Sequence, residues 1–349
     1  MHIKDSLLKW WKLPTLFLLS YLVTATAITG FARWVVPIPH LGGISARLTA
    51  FLEEKDEFDI LFLGSSYYKD AINSEHIDQE MNKLGCRVRS FKFGADGLNA
   101  IEYMFVLEQI KQSNPLKLST IIIDLPSPHY RSHLYASTRT RFFNSWSNFF
   151  PFVYEIWSLP RFRKTRSILL YDFFLAFIYE RTGINSLSRL LAPLLPPPNQ
   201  QKNHLQQTKK VSSLEKASTE LKKKQLLIKQ AENLVVETDV WKDGYAKRNQ
   251  KGHFARLQPI LKKLQGIGLK FAVVLAPGFP HYAYSEPLRE IFSEKVPETP
   301  LWHYNFPNRW PELFNGENLS TISHMNSKGA KIFSTLLAKD LCKKSPQKQ

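Results

Sequence analysis

The sequence predicts an α/β fold in three layers, a parallel sheet with helices on both faces, preceded by one membrane-spanning helix and interrupted by a large, mainly helical insertion. Three observations lead there. Short apolar, β-rich runs alternate with stretches of helical spacing in both the first and last thirds of the chain. The runs read as buried strands, which parallel sheets require because helices cover both faces. A chain of 349 residues, 44% of them hydrophobic and 22% charged, holds a sizeable core and is neither a disordered nor a polytopic membrane chain.

The elements follow in order. Leu13 to Trp34 carries no acid or base before Arg33, long enough to cross a bilayer as a helix. Lys4, Lys9 and Lys12 precede it, and Trp10, Trp11 and Trp34 flank it, which places the N-terminus in the cytoplasm and the remainder outside. A cleavable signal peptide is the rival reading, since Ala25-Thr26-Ala27 has a cleavage-site pattern; an uncleaved anchor is preferred because apolar character continues to Val36. A buried core helix is disfavoured by length and position.

After a Pro/Gly-rich connector, the expected strands are Phe58–Leu63, Arg87–Phe93, Ser119–Leu125 and Leu269–Ala276. Expected helices are Ala100–Gln112, Phe254–Gln265 and Ser327–Leu341. Arg139 to Leu195, rich in aromatics and Arg, reads as a mostly helical insertion, and Pro196 to Lys224 as an exposed polar excursion. The organisation is therefore residues 1–12 cytoplasmic, 13–34 anchor, 35–138 first part of the domain, 139–250 basic insertion and 251–349 second part.

The net charge of +17, from 47 Lys+Arg against 30 Asp+Glu, implies a polyanionic neighbourhood. With an anchor in front of it, that neighbourhood is an anionic membrane surface or cell-surface polymer rather than nucleic acid, which would require a cytoplasmic domain. The Arg/aromatic stretch reads equally as a helix solvating its own charged face and as a pad against head groups. Cys86 and Cys342 sit in no metal-ligand or redox spacing, which leaves their pairing and the compartment open.

Two local patterns carry chemistry. Ile60-Leu61-Phe62-Leu63-Gly64-Ser65-Ser66 is a strand ending in Gly-Ser-Ser ahead of a helical segment, which puts a hydroxyl at the carboxyl edge of the sheet, where open α/β sheets build their sites. Backbone N–H groups of such a turn can hold an oxyanion. Ser323-His324-Met325-Asn326, just before the terminal helix, supplies a base that can reach that hydroxyl. Alone, each is an ordinary turn or an exposed His; together they point to a Ser-His site. Asp124 reads as a strand-end acid, a ligand or orienting group at most. His129, His133, His281 and His303 form no metal spacing, and with no phosphate-loop or dinucleotide fingerprint, no metal and no cofactor is expected.

On these residues the chain resembles the GDSL/SGNH hydrolase superfamily, in particular its membrane-anchored branch that includes alginate O-acetylation proteins and the D-alanine transfer protein. The resemblance spans roughly Asp59 to His129 and Leu269 to Leu341. It implies a flavodoxin-like, SGNH-type sheet, Ser66 as nucleophile, His324 as base, and backbone N–H groups of Ser66 and Gly97 as oxyanion hole. The implied activity is acyl transfer or ester hydrolysis on a surface polysaccharide or a teichoic- or lipopolysaccharide-type polymer, with a membrane-bound O-acyltransferase as partner. The sequence departs from the pattern twice: Thr321 stands where an Asp usually precedes the His, with Glu317 the nearby acid that could substitute, and Pro128 falls about where an oxyanion-hole Asn is usual. The alternative is therefore a degraded member that binds an envelope polymer or scaffolds an acylation complex.

Overall fold

A computed structural model describes residues 3–35, 41–124, 138–143, 258–278, 292–294, 296–321 and 324–344, with single positions between 153 and 175. The chain divides into two compact units, Met1–Ser45 with Arg131–Lys210, and Ala46–Tyr130 with Val211–Gln349.

The second unit holds the sheet. Strands β1 (Ile60–Gly64), β2 (Ser90–Gly94), β3 (Thr120–Ile123), β4 (Lys270–Leu275) and β5 (Leu301–His303) lie in the order β2-β1-β3-β4-β5. All four pairings are parallel. This α/β arrangement is the one expected from the sequence, with the order of a flavodoxin-like sheet. Strand β5 was not anticipated, because three residues with a His and a Trp give no periodic signal.

Helices α2 (Gly43–Glu53), α3 (Ser66–Ala71), α4 (Ser74–Lys83) and α5 (Ala100–Ser113) precede or follow the first strands. The crossover β1 to β2 runs one way along the sheet and β2 to β3 the other. Right-handed crossovers therefore put α3 and α4 on one face and α5 on the opposite one. The starts of α4 and α5 are capped by their own sequence: Asn73 accepts from the His76 N–H, and Asn99 with Glu102 forms a reciprocal capping box. A further helical stretch occupies 258–267, and helix α7 (Ser327–Lys344) closes the chain. Between α5 and α7 in the numbering, α6 is Thr138–Phe143 in the first unit.

One face of the sheet, Ile60, Phe62, Ile122, Ala272 and Val274, packs with Tyr68, Ile77 and Met81 and with Phe333, Leu337 and Ala338 of α7. The alternate residues Leu61, Leu63, Ile121, Ile123 and Val273 are equally buried and, by the period of two, face the other way. Helix α7 is further tied to the first half of the fold by hydrogen bonds from the Asn73 N–H to Ser334 Oγ at 3.0 Å and between His76 and Thr335 at 2.9 Å. A disulfide joins Cys86 to Cys342, with Cα atoms 5.8 Å apart across 256 residues of sequence.

In the first unit, helix α1 spans Ile3–Val35 and contains the expected 13–34 segment. Its side chains are described at 15–17, 19–21, 23–31, 34 and 35, and Leu16, Phe17, Val23 and Trp34 are exposed. Among the described residues no helix is long and apolar enough to cross a membrane. The expected insertion lies outside the described residues apart from α6 and the single positions, and the 196–224 excursion lies outside them entirely.

Phe333→Ala empties a fully buried site between α7 and the sheet and is expected to lower unfolding free energy by about 3–5 kcal/mol. Reducing the Cys86–Cys342 bond is expected to lower it by about 2–4 kcal/mol. Urea denaturation of Phe333→Ala against wild type measures the first, and of reduced against oxidised wild type the second.

Candidate active site

Strand β1 ends at Gly64, whose position is dictated by space: a Cβ there would sit 2.3 Å from the Tyr68 ring. Gly94 at the end of β2 is likewise tight, with a Cβ 2.5 Å from the Lys69 Cα. These glycines are register partners, so the turns that follow them, Ser65-Ser66 and Asp96-Gly97, emerge side by side at the carboxyl edge. Gly97 adopts φ +59, a left-handed conformation that glycine takes without strain.

Ser65 and Ser66 have separate roles. Ser65 is buried and faces inward, its N–H and Oγ–H both donating to Asp124 Oδ2, at 2.8 and 2.7 Å. Ser66 opens α3 and places its hydroxyl 3.0 Å from His324 Nε2. Asp124 follows β3, neighbour to β1, so the Ser65–Asp124 contact sits where successive crossovers diverge, the crevice in which open α/β sheets hold ligands. Tyr103 O–H donates to the other carboxylate oxygen, Oδ1. Burial pushes the Asp124 carboxyl up to about 7, against the lowering effect of the two Ser65 bonds.

His324 is held by a small hairpin. Strands β6 (Leu319–Thr321) and β7 (His324–Met325) pair antiparallel with Thr321 opposite His324. That pairing brings Thr321 Oγ1 within 3.1 Å of His324 Nδ1. A hydroxyl accepting the Nδ1–H leaves Nε2 with its lone pair toward Ser66, the tautomer a general base needs. The hairpin is clamped to α7 by Asn326, whose side chain accepts from the Lys328 and Gly329 N–H groups. Gly329 is forced by close approach: a Cβ would meet the Asn318 carbonyl oxygen at 2.2 Å.

Of the expected residues, Ser66 and His324 meet, and Gly97 lies on the adjoining turn. Glu317 places Oε2 on Lys328 Nζ at 3.0 Å, and the group at His324 Nδ1 is Thr321. Pro128 lies outside the described residues. Two further residues complete the site. Asp70 Oδ2 is 3.9 Å from His324 Nε2, and the Tyr67 ring stacks on the imidazole, centroids 5.2 Å apart and planes 3° from parallel. The signal for Asp70 was in the sequence: it stands four residues after Ser66, one helical turn on along the same face. Asp70 thus places a carboxylate beside the imidazole on the side of Ser66, opposite the Thr321 hydroxyl at Nδ1.

Asp70 also lines a groove of about 730 Å³ with Arg47, Lys69, Asn73, Lys92 and Asn326. Lys92 donates to the Lys69 carbonyl at 3.0 Å, and its own carbonyl accepts from Arg47 Nη1 at 3.2 Å. Burial, then Arg47, holds the Lys92 ammonium below its ordinary range. Among the described residues no group of His, Cys, Asp and Glu is arranged to hold a metal ion.

Asp124 gives a stability prediction of definite sign. Its carboxyl is raised from 3.8 unfolded to about 7 folded, so the folded state binds more protons between these values and stability from this group falls as pH rises through them. The stability of wild type relative to Asp124→Asn is expected to decline from about pH 4 to about pH 7 and then level off, as measured by denaturant titration at successive pH.

In comparison with known proteins, no family model and no curated sequence matches the chain.

Proposed function

We propose that the chain is a membrane-anchored, extracytoplasmic, SGNH-like acyltransferase or esterase that acts on a cell-surface polysaccharide or related polymer. The observation that carries the reading is the 3.0 Å contact of Ser66 Oγ with His324 Nε2 at the carboxyl edge of a parallel sheet. In the mechanism, His324 Nε2 takes the Ser66 proton as Oγ attacks the acyl carbonyl carbon. The tetrahedral oxyanion is held by the N–H groups of Ser66 and Gly97, and the imidazolium returns its proton to the leaving oxygen. A sugar hydroxyl or water, deprotonated by His324, then attacks the acyl carbon, and the imidazolium returns that proton to Ser66 Oγ as the acyl–Oγ bond breaks. Thr321 sets the tautomer, and Asp70 lies 3.9 Å from Nε2, beside the nitrogen that takes the proton.

The groove that Asp70 and Met325 line, adjacent to Ser66 and His324 though lined by neither, suits a hydroxyl-rich acceptor. Its lining balances Arg47, Lys69, Arg89 and Lys92 against Glu54, Asp70, Glu75 and Asp78, and adds Phe58 and Phe91. Mixed donors and acceptors with aromatic surface suit a sugar better than a bare anion. The +17 then belongs to the anionic membrane surface or polymer near which the domain works. Extracytoplasmic location draws support from the Cys86–Cys342 disulfide, since such bonds persist in oxidising compartments. The anchor rests on the Lys and Trp flanks of 13–34 and on the exposed apolar side chains of α1. A membrane-bound O-acyltransferase as acyl supplier follows from the resemblance alone.

The second reading, a polymer-binding scaffold, is favoured by one observation: a neutral hydroxyl, not a carboxylate, meets His324 Nδ1. Labelling with a fluorophosphonate probe separates the two. Ser66→Ala is expected to abolish labelling and His324→Ala to slow it by about 10²–10⁴-fold. Asp70→Asn is expected to slow it about fivefold, the effect of a partly exposed charge contact of about 1 kcal/mol. Wild type that stays unlabelled, with polymer acylation unchanged in the Ser66 variant, would leave the scaffold.

A further inference from the structure

Beneath the nucleophile turn lies a polar cluster that the acyl-transfer mechanism does not use. Asp124 is 3% exposed, yet its carboxyl receives three donors: Ser65 N–H, Ser65 Oγ–H and Tyr103 O–H. Ser65 immediately precedes Ser66, and its hydroxyl is turned inward and makes no cap bond to α3. A backbone N–H and a side chain of the same residue, both bound to one oxygen, leave the turn little freedom to rotate. Tyr103 comes from α5 on the other face of the sheet, so the cluster ties the turn to two layers at once. The groups facing Asp124 among the described residues are these two and, through space, Tyr68, whose O–H donates to the Val274 carbonyl; all are neutral.

We propose that Asp124 is the positioning residue of the nucleophile turn: its carboxylate, holding Ser65 and Tyr103, keeps Ser66 in line with His324, and protonation of that carboxylate relaxes the hold. The proposal rests on the Ser66–His324 reading for its consequence in catalysis, and on Ser65–Asp124 geometry alone for its structural half. Hydrogen bonds to a charged acceptor are shorter and about twice as strong as those to a neutral one. A protonated carboxyl also becomes a donor on one oxygen, which turns either the Tyr103 or the Ser65 hydroxyl from donor to acceptor. Burial raises the proton affinity of this group into the neutral range, so the change falls at ordinary pH. The site is thereby most active above neutrality and slackens as its surroundings acidify.

Asp124→Asn keeps the shape and a neutral acceptor, and so imitates the protonated state at every pH. The test compares fluorophosphonate labelling rates of wild type and Asp124→Asn from pH 5.5 to 8.5, taken as a ratio so that pH effects common to both proteins cancel. The expected ratio rises from about 1 at the acid end to about tenfold at the alkaline end, the difference between charged and neutral acceptors. A ratio that is constant with pH would mean a merely structural role and would overturn the proposal. A second measurement does not depend on activity: the backbone amide NMR shifts of Ser65 and Ser66. They are expected to titrate with a midpoint near neutrality in wild type and to be flat in Asp124→Asn. Shifts that titrate alike in both proteins, or in neither, overturn the proposal even if no probe ever labels Ser66. Absent labelling with the expected shifts refutes the enzyme reading and leaves the positioning of the turn standing.

Discussion

The docking of α7 against α3, α4 and the sheet is the constraint on which the site depends. Ser66 and His324 are 258 residues apart, and closing so long a separation is entropically expensive unless many contacts share it. Phe333 and Leu337 bury the apolar face, Ser334 and Thr335 bond to Asn73 and His76, and the disulfide fastens the far end. The near end is set by Gly329 against the Asn318 carbonyl, which lets the β6–β7 hairpin lie where its imidazole reaches the nucleophile turn. The hydrogen bond is thus a product of core packing rather than of either loop alone.

Electrostatics at the carboxyl edge follow from the same geometry. The site places one carboxyl deep under the nucleophile and a second, Asp70, beside the imidazole at the surface. Their environments differ sharply: Asp124 is enclosed and its ionisation suppressed by burial, whereas Asp70 is part-exposed at 35%. Thr321 completes the arrangement by meeting the ring at Nδ1 with a neutral hydroxyl, while the Asp70 carboxylate lies 3.9 Å from Nε2 on the other side.

The surplus of positive charge has little to do with this chemistry. The groove beside the pair is balanced between bases and acids, and the surplus belongs to the rest of the chain.

The sequence by itself determined the parallel α/β sheet, since Phe62, Ile122 and Val274 lie in apolar runs that only a doubly covered sheet can bury, and it located both Ser66 and His324. Such signals are local, carried by periodicity, a Gly-Ser turn and a capped helix start. It also contained, unread, the one-turn spacing of Ser66 and Asp70. Tertiary structure alone decided the rest. That Ser65 turns inward to Asp124 depends on strand order, which no local pattern encodes. That Thr321 rather than Glu317 meets the imidazole depends on a two-strand register, and that Cys86 meets Cys342 depends on where α7 docks. Each is a contact between segments remote in sequence, settled by packing of the whole core.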